Sequence, residues 1–299
     1  MIRAEHVTKF YGDFKAVDSI DASLKDGSIF GLVGTNGAGK STFLRMAAGI
    51  MKPDDGSIMV DGEDVFENPE VKQRIFYISD EQYFFANTTP FELMGFYQNF
   101  YPKFDCKRYF KLLDNFGLDR SRKVNTYSKG MKKQLSILLG ICSNTDYIIC
   151  DETFDGLDPV MRQAVKSMFA EAVSERNLTP VIASHNLREL EDICDHIGLL
   201  HKGGILFERD LDDMKLSVQK IQCAFSEDKT RDDFLGMDIM TWQKHGSVIM
   251  MVVRGKSEEL AQRIGEMEPL FLDILPLTLE EIFITETEVL GYDIKKIIS

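Results

Sequence analysis

Gly34-Thr35-Asn36-Gly37-Ala38-Gly39-Lys40-Ser41 fits the pattern GxxxxGK[ST], the signature of a loop that wraps phosphate. Each residue type has a physical reason to be there. Glycines let backbone amides turn inward and form an anion nest. The helix that opens behind the loop adds a partial positive charge. A lysine at Lys40 reaches β- and γ-phosphates, and a hydroxyl at Ser41 ligates Mg²⁺. Thr42 continues the same turn. The context agrees. Ser28 to Val33 is an apolar run that reads as a buried strand, and Lys40 to Ile50 has helical spacing, with Phe43, Leu44, Ala47 and Ala48 apolar.

A phosphate loop alone does not separate ATPases from GTPases or kinases. The chain contains no NKxD guanine-reading motif. It does contain a second acidic element where one is needed. Tyr147-Ile148-Ile149-Cys150 is an apolar strand that delivers Asp151 and Glu152. Neighbouring residues at a strand end point in different directions. Asp151 therefore suits the metal, and Glu152 suits polarisation of an attacking water.

Further along, Tyr127 to Cys142 reads as a long helix capped by Ser128. Val160–Ser174 and Leu187–Cys194 read as helices around a buried strand, Pro180–Ala183. Lys202-Gly203-Gly204 separates two short strands as a hairpin. Short buried strands alternating with helices imply an α/β layer around a mostly parallel sheet. Near Asp212–Ser217 the character changes. The remainder reads as a strand at Lys220–Phe225, a strand pair around Met240–Arg254, a helix at Ser257–Met267, more strand near Phe271–Ile274, and a terminal helix.

Composition sets limits on function. The 299 residues suggest about two domains. With 35 basic and 48 acidic residues, the net charge is −13, which disfavours broad nucleic-acid binding because phosphate neutralisation needs a basic face. No apolar run approaches the roughly 20 residues of a membrane-spanning helix. Five scattered cysteines without a CxxC pair read as reduced cytosolic thiols.

These motifs together resemble the ATP-binding subunit of an ABC transporter over residues 1–215. The most diagnostic piece is Tyr127-Ser128-Lys129-Gly130-Met131, which stands before the Asp-Glu pair. The family pattern there is LSGGQ. Ser128 and Gly130 match, Lys129 replaces a glycine and Met131 replaces the glutamine. This variant looks like the branch of antibiotic-resistance and bacteriocin-immunity exporters. The resemblance implies a P-loop ABC-type ATPase core with an antiparallel β subdomain and a helical subdomain over about 83–145. Residues 216–299 then form a small C-terminal α+β accessory domain.

The resemblance also implies roles, residue by residue. Tyr11 stacks on adenine. Asn36, Gly37, Ala38, Gly39, Lys40, Ser41 and Thr42 hold ATP, with Ser41 and Asp151 toward Mg²⁺. Glu152 activates water, and His185 is the switch residue near the γ-phosphate. Ser128 and Gly130 point at the γ-phosphate held by a second ATPase chain, identical or paralogous. Phe154-Asp155-Gly156-Leu157-Asp158 resembles the loop that crosses the dimer interface, with Asp158 matching its acid. One position departs from the pattern. The residue expected to be Gln aligns with Asp80, and Gln82 follows two places later, so the choice between them stays open. The implied partner is a separate transmembrane permease without nucleic acid, with the chain cytoplasmic and peripheral on the inner face of the membrane. A non-transport ATPase acting as a regulatory switch is the alternative.

Residues 76–110 hold 13 of the chain's 31 aromatics. About two-thirds of the nine rings at Tyr83, Phe84, Phe85, Phe91, Phe96, Tyr97, Phe100, Tyr101 and Phe104 are expected inside the helical subdomain. Phe84 and Phe85 are the candidates for a permease-facing groove.

Overall fold

The computed structural model describes residues 1–289, except the side chains at 206–207 and 286–289. The last part of the expected accessory domain, 290–299, lies outside the described residues. Two compact units divide the chain, Met1–Glu208 and Arg209–Ser299.

The first unit is built on two sheets. One is antiparallel. Its long hairpin Ile2–Tyr11 and Phe14–Leu24 turns at Gly12, where φ is +59°, and Asp55–Val60 pairs with the other edge of Ile2–Tyr11. The other sheet has six strands. Its parallel centre runs through His196–His201, Phe30–Val33, Thr179–Ser184, Tyr147–Asp151 and Ile75–Ile78. All residues of Phe30–Val33, Thr179–Ser184 and Tyr147–Asp151 are buried. Continuous apolar runs of this kind suit a sheet covered on both faces. Their carboxyl ends open toward one side, where the loops of the site gather.

Three helices of the middle segment cover residues 90–142: Pro90–Gln98, Cys106–Asn115 and Lys129–Cys142. Thr89 caps the first with a full capping box to Glu92, and Ser128 caps the third by accepting from the Met131 amide at 3.2 Å. The aromatic expectation fails here. Tyr83, Phe85, Phe91, Phe96 and Phe100 are exposed, Phe84, Tyr97 and Tyr101 are half-buried, and of the nine only Phe104 is buried. The buried positions of Pro90–Gln98 are Pro90, Leu93 and Met94, so that helix turns its phenylalanines outward. The rings instead form a surface ladder, with Phe96 5.1 Å from Phe85 and 5.0 Å from Phe100.

The second unit is an antiparallel sheet of four strands. Their order is Asp238–His245, Val248–Arg254, Val218–Ala224 and Phe271–Pro276. Val248–Arg254 alternates strictly, with Ile249, Met251 and Val253 buried against Leu260 and Ile264 of the helix Ser257–Gly265. Period two is the mark of a sheet covered on one face.

Candidate nucleotide site

The strand Phe30–Val33 ends in the glycine-rich loop, and the helix Lys40–Ala47 begins directly behind it. Gly39 is the N-cap residue at φ +104°, and a Cβ there would lie 2.4 Å from the Ala16 carbonyl. No other residue type fits that position, because the loop is pressed against the antiparallel sheet. The Lys40 side chain folds back along the loop. Its Nζ donates to the Gly34 carbonyl at 2.7 Å and the Thr35 carbonyl at 3.3 Å, and stands 3.5 Å from Glu152 Oε1. An ammonium group buried to this degree needs such acceptors.

A cleft of about 410 Å³ lies over the loop. Asn36, Gly37, Ala38, Gly39, Lys40, Ser41 and Thr42 form its floor. Tyr11, Phe14 and Ala16 of the antiparallel sheet make one wall, and Asp80, Glu152, Asp155 and His185 make the other. Tyr11 and Phe14 face each other across the hairpin end, and both rings are exposed at the rim.

Asp151 sits just below this cleft, 1% exposed. Its Oδ1 accepts from the Ser41 hydroxyl at 3.0 Å and its Oδ2 from the Tyr77 hydroxyl at 3.2 Å. Burial raises the Asp151 carboxyl above its ordinary value, while the two hydroxyls pull it back down. Burial, together with Asp151, in turn pushes the Tyr77 hydroxyl up to about 12. A buried carboxylate beside a serine hydroxyl is an oxygen donor set suited to a hard divalent cation. No group of three or more His, Cys, Asp or Glu that could hold a metal occurs among the described residues. One carboxylate and one hydroxyl suit Mg²⁺, which is held by one or two carboxylates plus substrate phosphates.

Glu152 has φ +48°, a left-handed conformation that costs a non-glycine residue about 1–2 kcal/mol. Contacts on every side hold it there. Its amide donates to the Ala183 carbonyl at 3.0 Å, and its carbonyl accepts from Lys133 Nζ at 2.6 Å. Its carboxylate meets His185 Nδ1 at 2.7 Å. Strain retained by a surrounding lattice of contacts is a mark of functional sites.

The remaining expected residues fall in two places. Asp80 lines the cleft, whereas Gln82 turns its amide back onto the Ser79 and Asp80 carbonyls at 2.8 and 3.0 Å. Ser128 and Gly130 are not in the cleft. Ser128 is exposed, and a Cβ on Gly130 would lie 3.4 Å from the Gly156 carbonyl. Asp158 caps the helix Pro159–Arg176 by accepting from the Met161 amide at 3.0 Å, while its neighbour Asp155 lines the cleft. Sequence reasoning missed Phe14, Tyr77 and Lys133. Phe14 was readable as the cross-strand partner of Tyr11. Tyr77 and Lys133 carried no signal, since a tyrosine in a strand and a lysine in a helix are ordinary surface residues.

Comparisons with known proteins agree with this geometry. The family model described as "ABC transporter" matches residues 17–155. The chain is 32% identical over 286 residues to the ABC transporter ATP-binding protein YtrB of Bacillus subtilis, covering 96% of this chain and 98% of that one. It is also 32% identical to the bacitracin transport ATP-binding protein BcrA of Bacillus licheniformis, covering 94% of each. A solved ATP-binding subunit of an ABC transporter superposes with a TM-score of 0.66 at 26% identity, covering 72% of this chain and 92% of the other.

Proposed function

This chain belongs to the family of ABC transporter ATP-binding proteins, and from that premise we propose that it hydrolyses ATP to drive a separate membrane permease, as an exporter subunit. The observation that carries the reading is the convergence of Lys40, Glu152 and His185 on one cleft over the phosphate loop. The names of relatives support export, since they include bacitracin transport and daunorubicin/doxorubicin resistance proteins.

The loop amides of residues 36–42 and Lys40 bind the β- and γ-phosphates, and Tyr11 stacks on the adenine. Ser41 and Asp151 would hold Mg²⁺, which would supply charge neutralisation on the phosphates. Glu152 takes a proton from the water whose oxygen bonds to the γ-phosphorus, as the bond from that phosphorus to the bridging oxygen breaks. ADP leaves with that oxygen. His185 orients the Glu152 carboxylate through their hydrogen bond and faces the γ-phosphate. Asp80 stands on the water side of the cleft.

Ser128 and Gly130 act on the nucleotide of a second copy or a paralogue. Their exposed helix N-terminus lies outside the cleft of their own chain, and a head-to-tail pair brings it to the other cleft. No helix among the described residues is long and apolar enough to cross a membrane. In this reading the chain works at the inner membrane face through its permease.

The test is Glu152→Gln. Size is kept and the base is lost, so turnover falls by roughly 10²–10⁴-fold while ATP still binds. Light scattering with ATP should show an accumulated dimer. Wild-type turnover in a steady-state assay removes Glu152 from the mechanism.

A further inference from the structure

Lys133 is the most deeply buried cation near the cleft, with a side chain 0% exposed. It lies on the helix Lys129–Cys142, five residues after Ser128. Its Nζ reaches two acceptors that belong to the same wall of the nucleotide site. One is the Glu152 carbonyl at 2.6 Å, and the other is Asp80 Oδ1 at 3.4 Å. We propose that Lys133 is a positioning residue for hydrolysis: it fixes the left-handed backbone of Glu152 and balances the acid that stands at position 80.

A left-handed turn at a non-glycine residue persists only where its surroundings over-determine it. The Ala183 carbonyl holds the amide of Glu152, and Lys133 holds its carbonyl. Without the bond to its carbonyl, Glu152 could leave its left-handed φ, and rotation about N–Cα would carry the carboxylate away from Lys40 and His185, to which it now stands at 3.5 and 2.7 Å. A general base must lie within hydrogen-bond reach of the proton it removes. The donor that sets its backbone therefore sets its reach. Lys133 does not itself line the cleft, and it reaches the site through Glu152 and Asp80, which do.

A buried ammonium without a counter-charge is strongly unfavourable. Asp80 supplies that charge while 48% of its side chain remains exposed toward the cleft. The acid where the family pattern has a glutamine and the lysine beneath it are thus one unit. That unit joins the helix carrying Ser128 to the residue proposed as base, by way of a single side chain.

The proposal rests on the reading of Glu152 as the base. Its test is Lys133→Met, which keeps the length and apolar stem and removes the donor. Full-length protein is assayed for ATPase kcat and KM and for ADP affinity by calorimetry. The expected result is a loss of about 10²-fold in kcat, the cost of a misplaced catalytic group, with KM and ADP affinity within about threefold. Adding Asp80→Asn to Lys133→Met does not restore kcat, because the Glu152 carbonyl still lacks its donor. Lys133→Arg keeps a charged donor and recovers more than half of the lost activity on a logarithmic scale. If Lys133→Met does not fold, judged by circular dichroism, Lys133→Gln replaces it and must show the same split between kcat and KM. Wild-type kcat in Lys133→Met or Lys133→Gln overturns the proposal. So does full recovery in the double variant, which would leave Lys133 as a counter-charge only. Glu152→Gln measured alongside separates the two readings: if it is inactive while Lys133→Met is normal, only the role of Lys133 fails.

Discussion

The unit Met1–Glu208 encloses Lys40, Lys133, Lys166, Asp151 and Glu189, whereas the described residues of the unit from Arg209 onward bury only Gln219 and Thr285 among polar side chains. Both units have apolar cores of the ordinary kind, so the contrast lies in the charges and not in the packing. A buried charge destabilises the native state unless it is paired. Four of these five have partners on the site or beside it. Lys40 meets Glu152, Asp151 meets Ser41, Lys133 meets Asp80, and Glu189 accepts from Ser184, next to His185. Buried charge here marks where ligand chemistry is organised. The described residues of the second unit bury no charged side chain.

The largest effect that could break this contrast is at Lys40. Lys40→Ala removes a charged donor aimed at phosphates. A hydrogen bond to a charged group contributes roughly 1.5–3 kcal/mol, which corresponds to about 10- to 100-fold in affinity. Calorimetry with ATP and Mg²⁺ should show that loss. An affinity within a factor of about two of wild type would mean that the buried ammonium serves the loop's own carbonyls, Gly34 and Thr35, and not the nucleotide.

Much of this contrast was legible in the sequence, but unevenly. The phosphate loop, the strand before it and the Asp151-Glu152 strand end were readable because glycines, a lysine and acids at fixed spacing admit few other purposes. In the second unit Val248–Val253 was readable as a strand because it is a short apolar run, and the structure buries alternate residues within it, which an unbroken apolar run does not show. The aromatic stretch misled. Ring count says nothing about which helical face turns inward, and Leu93 and Met94 took the core positions that the phenylalanines were expected to fill. Lys133 was invisible for a related reason. Its burial depends on the Asp80 loop and the Glu152 turn, which approach it only in the folded chain. The rivalry of Asp80 and Gln82 was likewise a matter of side-chain direction, which spacing does not encode.

A smaller effect sharpens the claim that buried charge serves ligand and not stability. Burial raises the Asp151 carboxyl, so the native state prefers its neutral form. The stabilisation linked to that proton is fully present below the unfolded carboxylate range and is lost as pH rises through the folded value. At pH 7 the charged form is therefore a net cost to the free protein. Asp151→Asn removes the charge and leaves an oxygen for the Ser41 and Tyr77 hydroxyls. The melting temperature of the nucleotide-free protein at pH 7 should rise by roughly 2–4 °C. The same variant loses its Mg²⁺-dependent gain in ATP affinity. A lower melting temperature would show that Asp151 contributes to stability, and the contrast between the units would weaken.

The smallest expected effect on activity belongs to the second unit, where the chain offers its own probe. Its single tryptophan, Trp242, packs against that unit's core, 5.3 Å from Phe234. Phe234 is 2% exposed and also meets Phe225 edge-on at 5.8 Å. Phe234→Ala leaves a cavity beneath the indole and should destabilise this unit by about 3–5 kcal/mol. Tryptophan fluorescence during urea unfolding reads that change directly, as a lower midpoint, because no other indole contributes to the signal. ATPase kcat measured without denaturant should stay within about twofold of wild type, since among the described residues of this unit there is no buried charge and no residue of the cleft. The two readouts move independently if the second unit is only a scaffold or contact module. A lowered midpoint accompanied by a tenfold or greater loss of kcat, in protein that circular dichroism shows to be folded, would mean that hydrolysis depends on the second unit's integrity. Function would then reach beyond the unit that holds the buried charges.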